Sequence, residues 1–168
     1  MAPNATLIQA ANEGADANDG SYVLIYRTCG GNIVFGGDAH DNTWDYILTY
    51  HKEAVENCVV LVAPHHGRDS DRCYDFLDVL KPRITLLGCA DSRHMGYDAW
   101  NKRDLSHITS NQAGNILLDV ANEGVDIYVE NVNFARQIHT HEIARTLNGA
   151  TYICTVEKPR LPAPRGSV

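Results

Sequence analysis

Apolar residues recur along this chain in two alternating rhythms. Ser21 to Arg27 (SYVLIYR) and Asn32 to Phe35 (NIVF) are β-rich runs. Between them, Thr28-Cys29-Gly30-Gly31 is hairpin chemistry, because paired glycines accept a positive φ. From Asn42 to Glu56 the period lengthens: Trp44, Ile47, Leu48, His51 and Val55 recur at steps of three and four, which predicts an amphipathic helix. Cys58 to Ala63 (CVVLVA) is apolar at every position, as in a strand buried on both faces. Pro64 ends that run. Ser70 is placed to cap a helix through Lys81, with Phe76, Leu77 and Leu80 on one side and Pro82 as its stop, and Arg83 to Gly88 (RITLLG) predicts another buried strand.

Further on, His107 to Ser110, Asn115 to Val120 and Val125 to Glu130 are three short strands divided by turn residues at 111–114 and 121–124. A helix from Phe134 to Leu147 and a strand from Thr151 to Val156 follow, ahead of a proline-rich tail. This order predicts an α/β sandwich with helices covering a sheet, a domain over residues 1–156 and a flexible tail over 157–168. At 168 residues the chain has the length of one domain.

Composition narrows the function classes. With 44% apolar and 21% charged residues the chain is globular, and it has no apolar run long enough to span a bilayer. The net charge of −7 offers no general attraction to nucleic acid or anionic membranes, although a metal ion in one cleft would invert the local field. Five cysteines at wide spacing, with no C-x-x-C pair, read mostly as small core residues in a reducing compartment. The start, Met-Ala-Pro-Asn-Ala, lacks the regions of a secretory signal, so the expected location is cytoplasmic.

Chemistry concentrates after two of the strands. Gly36-Gly37-Asp38-Ala39-His40 follows NIVF, and its glycines allow a sharp turn that presents Asp38 at the strand's end; Asp38 would equally serve as a helix cap. Ala63-Pro64-His65-His66-Gly67 follows CVVLVA, and imidazoles at the end of a central strand are placed to ligate a metal, or to pack as turn residues. Neighbouring strands would deliver a carboxylate and an imidazole to one sheet edge, a mixture suited to zinc, manganese or iron.

In order, NDGSYVLIY, GGNIVFGGDA, VLVAPHHGRDS and FLDVLKPRITLLG resemble the C-terminal half of metallo-β-lactamase-fold hydrolases, nearest the branch with the ComEC-type hydrolase domain. The likeness runs closely over residues 18 to 90 and more loosely through NQAGNILLDV at 111–120. It implies an αββα sandwich of which this chain supplies the C-terminal half. It also implies metal-dependent, phosphodiester-type hydrolysis with a divalent metal, zinc foremost and manganese or iron next. Asp38 would match the carboxylate that bridges two metals. The pair His65-His66 would match the late histidine ligand, the other ring being free for substrate. His94 falls in a loop where relatives carry a polar residue near the site; it would donate a proton or touch substrate, or simply sit on a surface loop. Arg68 and Arg72 alternate with Asp69 and Asp71, which suits a solvated face or contact with a substrate anion.

One departure is large. The family's main metal motif, H-x-H-x-D-H, is absent ahead of Asp38. The later His139-Thr140-His141 lacks the D-H and falls on the expected helix, where positions i and i+2 diverge. Three readings follow: a piece of a longer hydrolase, one chain of a split enzyme completed by a first-half partner or a second copy, or a module that docks other chains and has lost catalysis. Trp44 and Trp100 sit among apolar neighbours and read as core.

Overall fold

The fold was analysed in a computed structural model, which describes residues 1–14, 16–139 and 145–159. Helix α1 (Ala5–Asn12) starts where the Asn4 carboxamide accepts the Leu7 N–H at 2.8 Å. The predicted hairpin follows as β1 (Leu24–Thr28) and β2 (Gly31–Phe35), antiparallel to each other. Three parallel partners continue the sheet: β3 (Val60–Val62), β4 (Ile84–Leu87) and β5 (His107–Thr109), in the order β1-β2-β3-β4-β5. The remaining strands form a separate antiparallel sheet in the order β6-β7-β9-β8: β6 (Ile116–Ala121), β7 (Gly124–Val129), β8 (Thr146–Leu147) and β9 (Ala150–Glu157). The class is mixed α/β.

Strand pleating sorts the first sheet's side chains into two cores. Val34, Leu61 and Leu87 face the helices, packing with Ile47 and Trp44 of α2 (Asp41–Tyr50), Val55 of α3 (Lys52–Val55), Phe76, Leu77 and Leu80 of α4 (Phe76–Leu80) and Trp100 of α5 (Tyr97–Asn101). Trp44 stacks on Phe76 with ring centroids 4.4 Å apart, and the Trp100 indole donates to Thr85 Oγ1 at 3.0 Å, so both tryptophans are core as expected. On the other face Ile33, Val60, Ile84 and Ile108 meet Val125, Ile127 and Val129 of β7 and Ile153 and Val156 of β9. The second sheet, with help from Ala113 of α6 (Ser110–Ala113) and Ala135 of α7 (Val132–Ile138), thereby supplies the layer that closes this core.

Several expectations are corrected. Helix α1 and a short 3₁₀ turn (Ala17–Gly20) precede the hairpin, in a stretch to which the sequence pattern assigns no element. The 42–56 helix breaks at His51, whose backbone (φ −137°, ψ 20°) is non-helical, giving α2 and α3. The 70–81 helix shrinks to α4, because the 70–75 stretch is held instead by tertiary bonds: Arg72 reaches Ser70 and Ala39, and Cys73 N–H donates to Asp41. The 134–147 helix is α7 only, and Thr146–Leu147 pairs as β8. Residues 140–144 and 160–168, hence His141 and most of the expected tail, lie outside the described residues. Of the cysteines only Cys58 is fully buried, and burial pushes its thiol up to about 12; Cys29, Cys73 and Cys89 are exposed. Among the described residues no helix is long and apolar enough to cross a membrane.

Candidate functional site

Strands β2, β3 and β4 run parallel and stop at one edge, the place where open α/β sheets present loops to ligands. Each continues into a loop, and the loops are laced together. Gly36 N–H donates to Val62 C=O at 3.0 Å, His65 N–H to Gly37 C=O at 2.8 Å and Gly88 N–H to His66 C=O at 2.9 Å. Two glycines permit this closeness. A Cβ on Gly36 would lie 2.7 Å from Pro64 N, and one on Gly88 would lie 2.7 Å from His66 Nδ1.

Consecutive left-handed backbones at His65 (φ 49°, ψ 42°) and His66 (φ 60°, ψ 9°) aim the two rings in different directions. Such conformations cost non-glycine residues about 1–3 kcal/mol each, and they persist where the surroundings enforce them.

The His66 ring turns outward. Its Nε2 lies 3.8 Å from Asp38 Oδ1, with the two side chains 57% and 47% exposed. The His65 ring turns inward. Its Nδ1 lies 3.0 Å from His40 Nε2 and 3.0 Å from Arg72 Nη2. The other ring nitrogen of His40 contacts Asp16 Oδ2 at 2.7 Å. Arg72 is only 7% exposed and also donates to Ala39 C=O at 3.0 Å and Ser70 Oγ at 3.1 Å. Burial holds the His65 pKa below the ordinary imidazole value, and the Arg72 cation adds to this while Asp38 opposes it.

Asp38, His65 and His66 therefore come to one rim, the first and last with their side chains half-exposed. Arg68 is exposed there, and its carbonyl accepts the Tyr74 hydroxyl at 3.1 Å. The His94 ring is also exposed, and its carbonyl accepts the Asp69 N–H at 2.7 Å, laying the loop after β4 beside the His65-His66 loop. Arg72 differs from the expected surface residue: its three contacts tie it into the interior, against His65. His139 packs on the second sheet, stacked on Tyr152. Asp16 and His40 escaped the sequence reading. His40 stands two positions after Asp38 and had a local signal, whereas Asp16 reaches the cluster only through tertiary structure.

The donor chemistry fits a divalent cation in part. Asp38 and His66 offer a hard oxygen and a neutral nitrogen suited to zinc or manganese, close enough together to share an ion. A four-coordinate site needs further ligands, and among the described residues no three His, Cys, Asp or Glu side chains are grouped to hold a metal.

No protein-family model matches the chain, and no curated protein matches it. The family likeness therefore stands on the ordered motifs alone.

Proposed function

We propose that this chain carries one half of the site of a metal-dependent hydrolase, the C-terminal half of a metallo-β-lactamase-type sandwich, acting on a phosphodiester-type substrate. The observation that carries this reading is the convergence of Asp38 and His66, 3.8 Å apart, on strained and glycine-dependent loops at the carboxyl edge of parallel strands. Strain of this kind serves ligand-directed geometry better than it serves stability.

In this reading Asp38 and one or both rings of His65-His66 hold a divalent ion, zinc or else manganese or iron. When bound, the ion supplies a hydroxide nucleophile near neutral pH. The chain's own groups do the rest. Arg68, exposed beside the loop, attracts an anionic oxygen of the substrate; Arg72, buried, keeps the His65 ring in place. His94 lies on the adjoining loop, where a proton donor to a leaving group would be useful. The other ligands come from a complementing first-half chain or a second copy. The negative net charge favours a small phosphodiester over a long nucleic acid. Widely spaced free thiols suit a reducing compartment such as the cytoplasm.

The test is reconstitution. A first-half chain bearing H-x-H-x-D-H, mixed with this one, is expected to hydrolyse bis-p-nitrophenyl phosphate with zinc or manganese and to lose that turnover in Asp38→Ala. Turnover indifferent to metal or to Asp38 would refute the proposal.

A further inference from the structure

Strand β1 is the outer edge of the first sheet, and the alternation of hydrogen bonds decides which of its backbone groups are left over. On β2, the Asn32 C=O accepts the Val59 N–H at 2.9 Å and the Gly36 N–H donates to Val62 C=O at 3.0 Å, so the even-numbered residues serve β3. The odd-numbered residues Gly31, Ile33 and Phe35 therefore bond Thr28, Tyr26 and Leu24, their register partners on β1. Val23, Ile25 and Arg27 turn their backbone groups outward. Val23 is already served, because its N–H donates to Ala2 C=O at 3.1 Å in an antiparallel bridge. Among the described residues nothing pairs with the outward groups of Ile25 and Arg27. The side chains match this edge. Leu24 and Tyr26 lie on the side of the second sheet without being covered by it, 53% and 60% exposed, and Tyr22 and Phe35 beside them are exposed too. Ile33, the register partner of Tyr26, is buried under the second sheet, so the cover ends between β2 and β1. Leu24–Thr28 also carries no lysine, proline or bulge, the devices that close an edge to other strands.

We propose that β1 is a dimerisation edge, occupied by β1 of a second copy in an antiparallel, two-fold pairing centred on Tyr26. One register fills both outward positions: Ile25 of each copy lies opposite Arg27 of the other, and each pair exchanges its N–H and C=O groups. Leu24 then faces Thr28 of the other copy, so the pairing spans the free strand and stops where Ala2 already holds Val23. The two Tyr26 side chains meet across the dyad in the non-hydrogen-bonded position, where side chains approach most closely. At about 150–250 Å² per aromatic side chain, the exposed parts of Tyr22, Leu24, Tyr26 and Phe35 leave roughly 400 Å² of apolar surface on each copy. Two copies together withdraw up to roughly 800 Å² besides the strand backbone, near the roughly 1,000 Å² that a specific interface needs. The Asp38 rim lies just beyond Phe35, the partner of Leu24, so antiparallel pairing sets the two rims at opposite ends of the joined sheet. A copy docked here adds no ligand to the other rim, which leaves that role to a first-half chain. The dimer itself depends on neither metal nor substrate.

Sedimentation velocity of the full chain without metal is expected to show a reversible monomer–dimer equilibrium with a Kd of about 1–100 μM, the strength of a small interface. A chain that stays monomeric well above that range would overturn the proposal. Arg27→Pro removes an outward N–H and no bond of the hairpin, and Tyr26→Lys sets two cations against each other across the dyad; each is expected to weaken the dimer at least about tenfold with the circular dichroism of the fold unchanged. Tyr26→Glu alone should do the same. An equimolar mixture of Tyr26→Lys and Tyr26→Glu should regain the dimer, which only a pairing centred on this residue predicts. A dimer indifferent to these changes, or a mixture that does not recover it, would overturn the proposal. Should Arg27→Pro not fold, the charge pair at the exposed Tyr26 still decides. Association only after a first-half chain is added would also overturn it, by assigning the edge to that chain. Zinc binding and hydrolysis are read separately, so the hydrolase proposal stands or falls on its own test.

Discussion

Two clusters of polar side chains on this molecule use similar residues and end differently. On the outer face of the second sheet, Asp126 is nearly buried, and Arg145 and the Thr155 hydroxyl both donate to it. Arg145 also lies over the rings of Tyr128 and Tyr152, 5.4 and 4.9 Å from their centroids. That network closes on itself: the charges meet, and the cation's remaining face is spent on π-clouds. At the rim of the first sheet, Asp16, His40, His65 and Arg72 make an inner chain of contacts, but Asp38 and His66 stand outside it, half-exposed and 3.8 Å apart. The rim holds two consecutive left-handed histidines, whereas the second sheet has a register shift at Ile127/Tyr128 and a left-handed Asn148 in the β8–β9 turn. The first network is satisfied within itself, whereas the rim leaves Asp38 and His66 half-exposed outside its inner chain.

The comparison breaks first at its buried anchors. Arg72→Ala strips donors from Ala39 C=O, Ser70 and His65, and should cost about 2–4 kcal/mol of unfolding free energy in urea. Arg145→Leu leaves Asp126 without its ion partner and should destabilise the fold less than Arg72→Ala, since Arg145 is half-exposed and solvent screens its pairing, and it should leave zinc binding untouched. Asp38→Ala is expected to move stability by less than about 0.5 kcal/mol, since its exposed side chain anchors nothing. A destabilisation as large as that of Arg72→Ala would remove the distinction between the inner chain and the exposed pair.

Two subtler probes sharpen it. A Cβ introduced by Gly88→Ala would press on the His66 ring, so the zinc affinity of the completed site should drop about tenfold, roughly 1.4 kcal/mol. Cys58 gives an internal control in the helix-facing core. Its folded-state pKa of about 12 lies above the ordinary thiol value of 9.0, so the unfolded chain gives up this proton first. Stability from this source is complete below about pH 9 and declines as pH rises toward 12. Cys58→Ala should flatten that decline, as seen in urea midpoints across this range. Cys58 should also resist a thiol reagent that modifies the exposed Cys29, Cys73 and Cys89.

Much of the rim was legible in the chain because its chemistry sits at the ends of apolar runs. NIVF and CVVLVA mark strands, and the glycines and histidines after them mark where those strands let go. The inner chain was not legible as a unit, because Asp16 is a polar loop residue with no periodicity, 24 positions from His40, and only folding brings the two together. The same limit applies to the 70–81 stretch: Ser70 reads as a cap, but its hydroxyl serves Arg72, a contact that no local pattern announces. The three short strands after residue 106 were visible through their turns. Their division between two sheets was not, since alternation reports that a face is buried and not which sheet buries it.

The central proposal is that Asp38 and His66 form a cation-binding pair at the rim, outside the inner chain of Asp16, His40, His65 and Arg72, and completed by ligands from another chain. Elemental analysis after equilibration with zinc of the chain mixed with a first-half chain bearing H-x-H-x-D-H, beside the same mixture made with Asp38→Ala/His66→Ala, tests it most directly. The account predicts about one equivalent more zinc in the wild-type mixture than in the variant mixture, with the fold retained in both. Equal zinc in the two mixtures, or none in either, would contradict it.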